Sequence, residues 1–349
     1  MKKQSIPLDQ AVGMVLPHDI TEISLESEDG RSKSCKGPVF RKGHIIRQED
    51  LGHLRRLGKE HIYVLSMDED EIHEDEAARL LADSLAGPGV VWSGRPSEGK
   101  LNLLAEHDGL LKIDTGALYR FNLLGEVMCA TLHNNIPVKK KTEVGATRLI
   151  PLVGKRDVVE NACDTARKSG GILRVSKIPA TRAGIVITGN EVYYGRVKDK
   201  FEPILKKKLA DLDSRVIETR FAPDDEEIIA GEIKTCIKRG ADVVVTSGGM
   251  SVDPDDRTRA GISRAGAVDA VYGTPVLPGA MFLVARIGSI PVLGLPACGM
   301  FHGTTVFDLI LPRVLSGEKI SREDIAALGH GGLCRQCEKC TYPVCSFGK

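Results

Sequence analysis

The stretch Thr246-Ser247-Gly248-Gly249-Met250-Ser251-Val252-Asp253-Pro254-Asp255-Asp256 decides how this chain is read. A run of apolar residues over 242–246 precedes it and reads as a strand. Small residues and glycines then leave the main-chain N–H groups uncovered. An anionic group, most naturally a phosphate, can approach such a loop closely. The acidic residues that follow can hold a divalent cation against that phosphate. The segment reads as a site for a phosphorylated small molecule. Glycine pairs also make ordinary turns, so the loop has to be judged by its surroundings.

Those surroundings alternate strands and helices over residues 179–320. A strand at 184–188 is followed by a helix at 199–212 with Phe201, Leu205, Leu209 and Leu212 on one face. Pro203 falls in its first turn, where a missing N–H costs little. A strand at 215–219 leads to a helix at 225–238 that turns Ile229, Ile233, Cys236 and Ile237 inward. Asp224 and Glu227 have capping-box spacing, and Gly240 supplies the stop. Strands at 282–287 and 291–295 and a helix at 300–315 complete the pattern. The fold class is α/β, with a doubly wound, mostly parallel sheet. In that architecture ligands bind beyond the carboxyl ends of the strands. Thr188-Gly189-Asn190-Glu191, Ser247-Gly248-Gly249 and Pro296-Ala297-Cys298-Gly299 all stand at such ends.

The order of these segments, together with Gly195-Arg196-Val197-Lys198-Asp199, Pro223-Asp224-Asp225 and Gly294-Leu295-Pro296, resembles the molybdopterin-binding domain. That family includes bacterial molybdopterin adenylyltransferases, molybdopterin molybdenumtransferases and gephyrin. The resemblance implies that Thr188, Gly189 and Asn190, with Ser247, Gly248, Gly249, Met250 and Ser251 and with Pro296, Ala297 and Cys298, bind the pterin dithiolene and its terminal phosphate. It implies acidic site residues at Glu191, Asp199 and Asp225, and a magnesium or nucleotide-phosphate role for Asp255 or Asp256. The competing reading of Asp199, and of the Asp255-Asp256 pair, is helix capping; Asp224 is assigned to a cap. Ala297-Cys298 stands where molybdenumtransferases carry glycine-asparagine. The segment 274–279 replaces their lysine-containing stretch, and Asp255-Asp256-Arg257-Thr258 is closer to the adenylyltransferase-like and nicotinamide-nucleotide-amidase-like branches. Cys298 also reads as a small apolar residue beside a buried strand. His302, on the first turn of the last helix, reads as a surface or core histidine.

The chain has 349 residues, room for two or three domains at roughly 150 residues each. Its net charge of +1 and aromatic content of 4% argue against a nucleic-acid coat. No apolar run reaches the roughly 18 residues needed to span a bilayer, and residues 1–7 lack a signal-peptide pattern, so a cytoplasmic protein is expected. Residues 1–66 read as a small α+β unit, with strand-like pieces at 13–16 and 61–65 and a short helix at 49–57. Residues 67–178 read as β-rich after a leading helix at 77–85, with strands at 123–132 and 143–153 and a solvated turn at Lys139-Lys140-Lys141.

Residues 321–349 carry Cys334, Cys337, Cys340 and Cys345, separated by gaps of two, two and four residues. Thiolates so close repel unless a metal neutralises them, and structural zinc or an iron–sulfur cluster both fit. The bacterial ferredoxin run has a three-residue last gap, so this is a different motif. A reduced loop without metal is the competing reading. Cys35, Cys129, Cys163 and Cys236 are scattered and read as structural.

The leading expectation is a molybdenum-cofactor biosynthesis protein that binds molybdopterin or its adenylylated form and transfers molybdate into it. The expected partners are a pterin phosphate or pterin nucleotide, molybdate, a client molybdoenzyme and further copies of the chain. Adenylyl transfer from ATP is the first alternative. A non-catalytic carrier of finished cofactor is the second, and nucleotide pyrophosphatase or amidase activity is a weaker third.

Overall fold

The computed structural model describes residues 3–28, 31–65, 67–251 and 253–349, with backbone alone at Lys3, 22–28, 31–38 and Leu65. The chain divides into two compact units. The first comprises Met1–Glu106, Ile113–Leu132 and Lys141–Arg174; the second comprises His107–Lys112, His133–Lys140 and Val175–Lys349.

The second unit is built on a six-stranded sheet. Its order is Arg215–Ala222, Arg182–Thr188, Val243–Ser247, Ile290–Leu295, Leu283–Ile287, Val268–Tyr272. The first four strands run parallel and the last two pairings are antiparallel. Both faces are covered, which explains why the strands read as continuous apolar runs. On one face Ile185, Ile187, Val243, Val245 and Leu293 pack with Phe201, Leu205 and Leu209 of the helix Phe201–Ala210 and with Phe307 and Ile310 of the helix Val306–Leu315. On the other face Val186, Val244 and Val292 meet Ile229, Ile233 and Cys236 of the helix Glu226–Lys238 and Ile262 of the helix Thr258–Arg264. The doubly wound, mostly parallel sheet expected from the sequence is present.

Three local expectations change here. The last helix starts at Val306, because Thr305 and Asp308 form a reciprocal capping box; Ala297–Met300 is a separate 3-10 turn. His302 therefore sits in the intervening loop, outside the helix. The strand Val268–Tyr272 was not anticipated. It carries a register shift between Val268 and Val271, and Asp269 adopts a φ of 54°.

The first unit contains a four-stranded antiparallel sheet in the order Val90–Trp92, Lys100–Ala105, Glu143–Leu149, Val127–Thr131. It also pairs Lys3–Pro7 with His61–Leu65 and Ile20–Glu28 with Arg31–Phe40. The expected helix near 49–57 is Leu51–Arg56 after a 3-10 turn, and the expected leading helix is Glu74–Leu85. Two further helices, Thr115–Asn122 and Arg156–Lys168, make residues 67–178 mixed rather than β-rich. Residues 13–16 contribute a single bridge, Val15 with Ile45, instead of a strand.

Sheet and helix approach each other most closely at Gly184. A Cβ there would lie 2.6 Å from Cys236 Cβ and 2.9 Å from its sulfur. Both partners are core, so the overlap has no exit to solvent. Gly184→Ala should lower unfolding free energy by about 1–3 kcal/mol in urea titration; an unchanged midpoint would mean that the helix shifts without cost.

Candidate functional site

Parallel register brings the candidate loops together. Ile187 pairs with Ser247, and Ser247 pairs with Leu295, so three strands end side by side. Residues 188–191, 247–251 and 296–298 therefore leave the sheet at one edge.

Thr188 is the fastener of that edge. Its buried Oγ1 donates to the Ser247 carbonyl at 2.9 Å and lies 2.7 Å from Thr258 Oγ1. Little space is left for the two glycines between. A Cβ on Gly248 would stand 2.3 Å from the Thr188 carbonyl oxygen, and one on Gly249 would stand 2.5 Å from Thr258 Oγ1. Both glycines also have positive φ, 87° and 52°. The two glycines are a requirement of the fold itself. Beneath it, Ser247 Oγ is buried and has no hydrogen-bond partner. A buried hydroxyl left unmatched costs free energy, so an unmet one asks for an explanation.

Met250, expected to touch ligand, points its side chain into the core against Gly294. Its carbonyl accepts from the Tyr272 hydroxyl at 2.8 Å, and the Arg259 guanidinium stacks 3.7 Å over the Tyr272 ring. Ser251 is half-buried, and Val252 lies outside the described residues. Of the third loop, Pro296 is buried, Ala297 is exposed, and the half-buried Cys298 thiol is pushed up by burial.

The carboxylates divide by task. Asp199 accepts from the N–H groups of Phe201 (2.9 Å) and Glu202 (2.8 Å), so it caps its helix. Asp225 accepts from Glu227 (2.9 Å) and Ile228 (3.0 Å) and is the cap that spacing had assigned to Asp224. Asp224 is diverted because the Asn190 N–H donates to it at 2.9 Å, while the Asp224 N–H donates to Asn190 Oδ1 at 3.3 Å. This clasp joins two strand ends across 34 positions of chain. Asp224 is the residue that sequence reasoning missed. Burial raises its pKa above the usual carboxylate range, and Glu191, Asp256 and Asp255 push it further up against the Asn190 hydrogen bond. These four acids therefore share one neighbourhood. Asp255 does not cap the following helix, and neither does Asp256, whose carboxylate accepts from the Asp253 N–H at 3.3 Å.

Elsewhere, Cys129 and Cys236 are buried thiols pushed up to about 12 and about 11, and Cys163 is buried too, consistent with structural roles. The side chain of Cys35 lies outside the described residues. Cys334, Cys337, Cys340 and Cys345 are free thiols. Among the described residues no three His, Cys, Asp or Glu side chains gather into a ready-made metal site. No helix among them is long and apolar enough to cross a membrane.

The segments that form this edge lie within a stretch that matches a known family model. Residues 184–316 match the family model described as a probable molybdopterin binding domain, and residues 5–66 match a domain of unknown function, DUF8806. A CinA-like protein of Mycobacterium sp. (strain MCS) is 35% identical over 85 residues, covering 24% of this chain and 20% of that protein. One from Mycobacterium tuberculosis is 37% identical over 79 residues, covering 23% and 18%. The chain thus spans about a fifth of the length of the curated relatives it matches. Among solved structures, the molybdopterin biosynthesis enzyme MoaB from Thermus thermophilus is 21% identical with a TM-score of 0.34, covering 40% of this chain and 98% of that one. The molybdopterin biosynthesis Mog protein from Mycobacterium ulcerans is 20% identical with a TM-score of 0.33, covering 39% and 95%. Residues 184–316 thus carry the match to the molybdopterin-binding domain model, in a chain that has further domains outside that match.

Asp224 gives a test of the acidic wall. Its folded pKa is raised, so the folded state holds the proton more tightly than the unfolded chain does. Ionised Asp224 therefore costs stability. That cost is absent below the unfolded value of about 3.9 and complete above the folded value. Asp224→Asn, which can still accept from Asn190, should melt no lower than wild type at pH 7, with the difference fading toward pH 4. A lower melting temperature at pH 7 would contradict this reading.

Proposed function

We propose that the 184–316 domain binds molybdopterin or its adenylylated form at the shared strand edge, and that the chain acts in inserting molybdate into that pterin. The family match supports a role related to molybdenum-cofactor biosynthesis. The unmatched Ser247 hydroxyl carries the binding reading, because it lies buried at the end of a strand whose next two residues tolerate no Cβ. Such an edge suits a terminal phosphate, which accepts hydrogen bonds from exposed main-chain N–H groups and from a hydroxyl.

Magnesium fits by residue type. It is commonly held by one or two carboxylates plus substrate phosphates, so the lack of a ready-made three-ligand cage among the described residues is no obstacle. Asp255 and Asp256 would hold it, with Glu191 and Asp224 as neighbours. When bound, it would offset phosphate charge. Asp224 clamps the loop 188–191 through Asn190, and Asp199 and Asp225 fix the adjoining helices. In this reading the fold positions the pterin, while molybdate is the incoming substrate.

The acidic wall favours a second reading, adenylyl transfer from ATP to the pterin phosphate. That chemistry rests on positioned anions and a divalent cation rather than on a protein nucleophile. The two differ in what is consumed.

The test begins with anaerobic purification and quantitation of released pterin. Ser247→Ala should lower pterin affinity by about 10- to 100-fold, the worth of one hydrogen bond to a charged group; unchanged retention would contradict the site. Molybdate-dependent turnover of adenylylated pterin would then support insertion. ATP-dependent formation of that compound would support adenylyl transfer, and tight binding without either would support a carrier that serves a client molybdoenzyme.

A further inference from the structure

The cysteine segment takes no part in the chemistry above, yet it is built into the second unit. Its approach is fixed by main-chain hydrogen bonds at 2.8 Å, Leu277 N–H to Gly332 and Cys334 N–H to Leu277. Gly348 N–H donates to the Gly331 carbonyl at 2.9 Å, which ties the two ends of the loop together, and Phe347 is buried in the core of the sheet. The loop between has no helix or strand, and its Leu333 and Val344 face solvent. Tyr342 and Phe347 pack on the core, but the rest of the loop has little apolar burial to offset the entropy of ordering it, which is where proteins use a staple.

All four thiols border one cavity of about 400 Å³, walled also by Phe301, His302, Thr304 and Phe347. All four are free thiols, and among the described residues no three of them form a ready-made set for one ion. The room in the cavity bears on which metal chemistry it suits. A tetrahedral zinc with Zn–S bonds of about 2.3 Å holds its sulfurs only about 3.8 Å apart, whereas a cluster of several irons spreads them around a larger body. The spacing points the same way. Zinc sites commonly use two Cys pairs separated by a long loop, whereas Cys334, Cys337 and Cys340 follow one another at two-residue gaps, as the first three cysteines of the bacterial iron–sulfur run do; the last gap, to Cys345, is four residues instead of three. Thr304 Oγ1 lies 3.1 Å from the Cys340 sulfur, where its proton can be shared with a bound thiolate.

We infer that Cys334, Cys337, Cys340 and Cys345 ligate an iron–sulfur cluster in this cavity. The site is separate from the pterin edge and does not depend on it. It borders residues 301–304, which follow the turn Ala297–Met300 directly, so cluster occupancy would pin the loop leading away from Pro296, Ala297 and Cys298.

The test is iron, zinc and acid-labile sulfide analysis of the full chain purified without oxygen, and again after anaerobic reconstitution with iron and sulfide. Iron and sulfide in equal amounts, about two or about four of each per chain, the contents of the clusters that four cysteines hold, with visible absorbance that bleaches on reduction, is the expected result. Cys337→Ser, at an exposed position, should lose most of the iron and sulfide together, while Cys298→Ser should keep both. Zinc without sulfide, or no metal uptake on reconstitution of the wild-type chain, would overturn the assignment. Pterin content measured in the same samples reports separately on the other site.

Discussion

One hydroxyl holds the shared strand edge of the second unit together. Thr188 Oγ1 bonds the end of the neighbouring strand at Ser247 and meets Thr258 at the start of the next helix. Three segments distant in sequence close on one another, and the two residues between Ser247 and Met250 are left without room for a side chain. That closeness makes Gly248 and Gly249 obligatory for packing. Under the proposed phosphate site, packing and anion recognition place one demand on these positions, and a substitution there would disturb both at once. Ser247 and Asp224 are better probes, since their side chains can change without filling the turn.

The acidic residues around that edge look alike in sequence and differ in structure. Asp199 and Asp225 spend their oxygens on helix N–H groups. Asp224 instead crosses to Asn190 and stands among Glu191, Asp255 and Asp256, whose charges raise its proton affinity. Carboxylates crowded beside a bound phosphate repel it unless a cation stands between them. That constraint links the proposed phosphate site to divalent-metal chemistry.

The α/β half was legible because both faces of its sheet are covered. Val243-Val244-Val245 sends its middle residue to one core and its outer two to the other, so the strand reads as an unbroken apolar run. The helices around it show apolar stripes such as Phe201, Leu205 and Leu209. The strand Val268–Tyr272 escaped because its residues are exposed or half-buried and its register is broken at a positive φ. The helix Arg156–Lys168 escaped because its inward face is mostly small, with Val159, Ala162, Cys163 and Ala166. The start of the last helix was present in the text as Thr305 and Asp308 but was hidden by apolar Met300 and Phe301, the latter largely exposed. The swap of Asp224 and Asp225 was beyond local spacing, since the partner that diverts Asp224 lies 34 residues away. The unmatched Ser247 hydroxyl has no signature in sequence either, because satisfaction depends on neighbours that folding supplies.

The account turns on where the phosphate end of the pterin sits. A structure of the full chain with molybdopterin or its adenylylated form bound decides this directly. The account predicts a phosphate oxygen within hydrogen-bond distance of Ser247 Oγ and the main-chain N–H groups of residues 248–250. The pterin seated instead in the separate cavity of about 580 Å³ bordered by Lys207, Lys208 and His302, with Ser247 still unmatched, would contradict it.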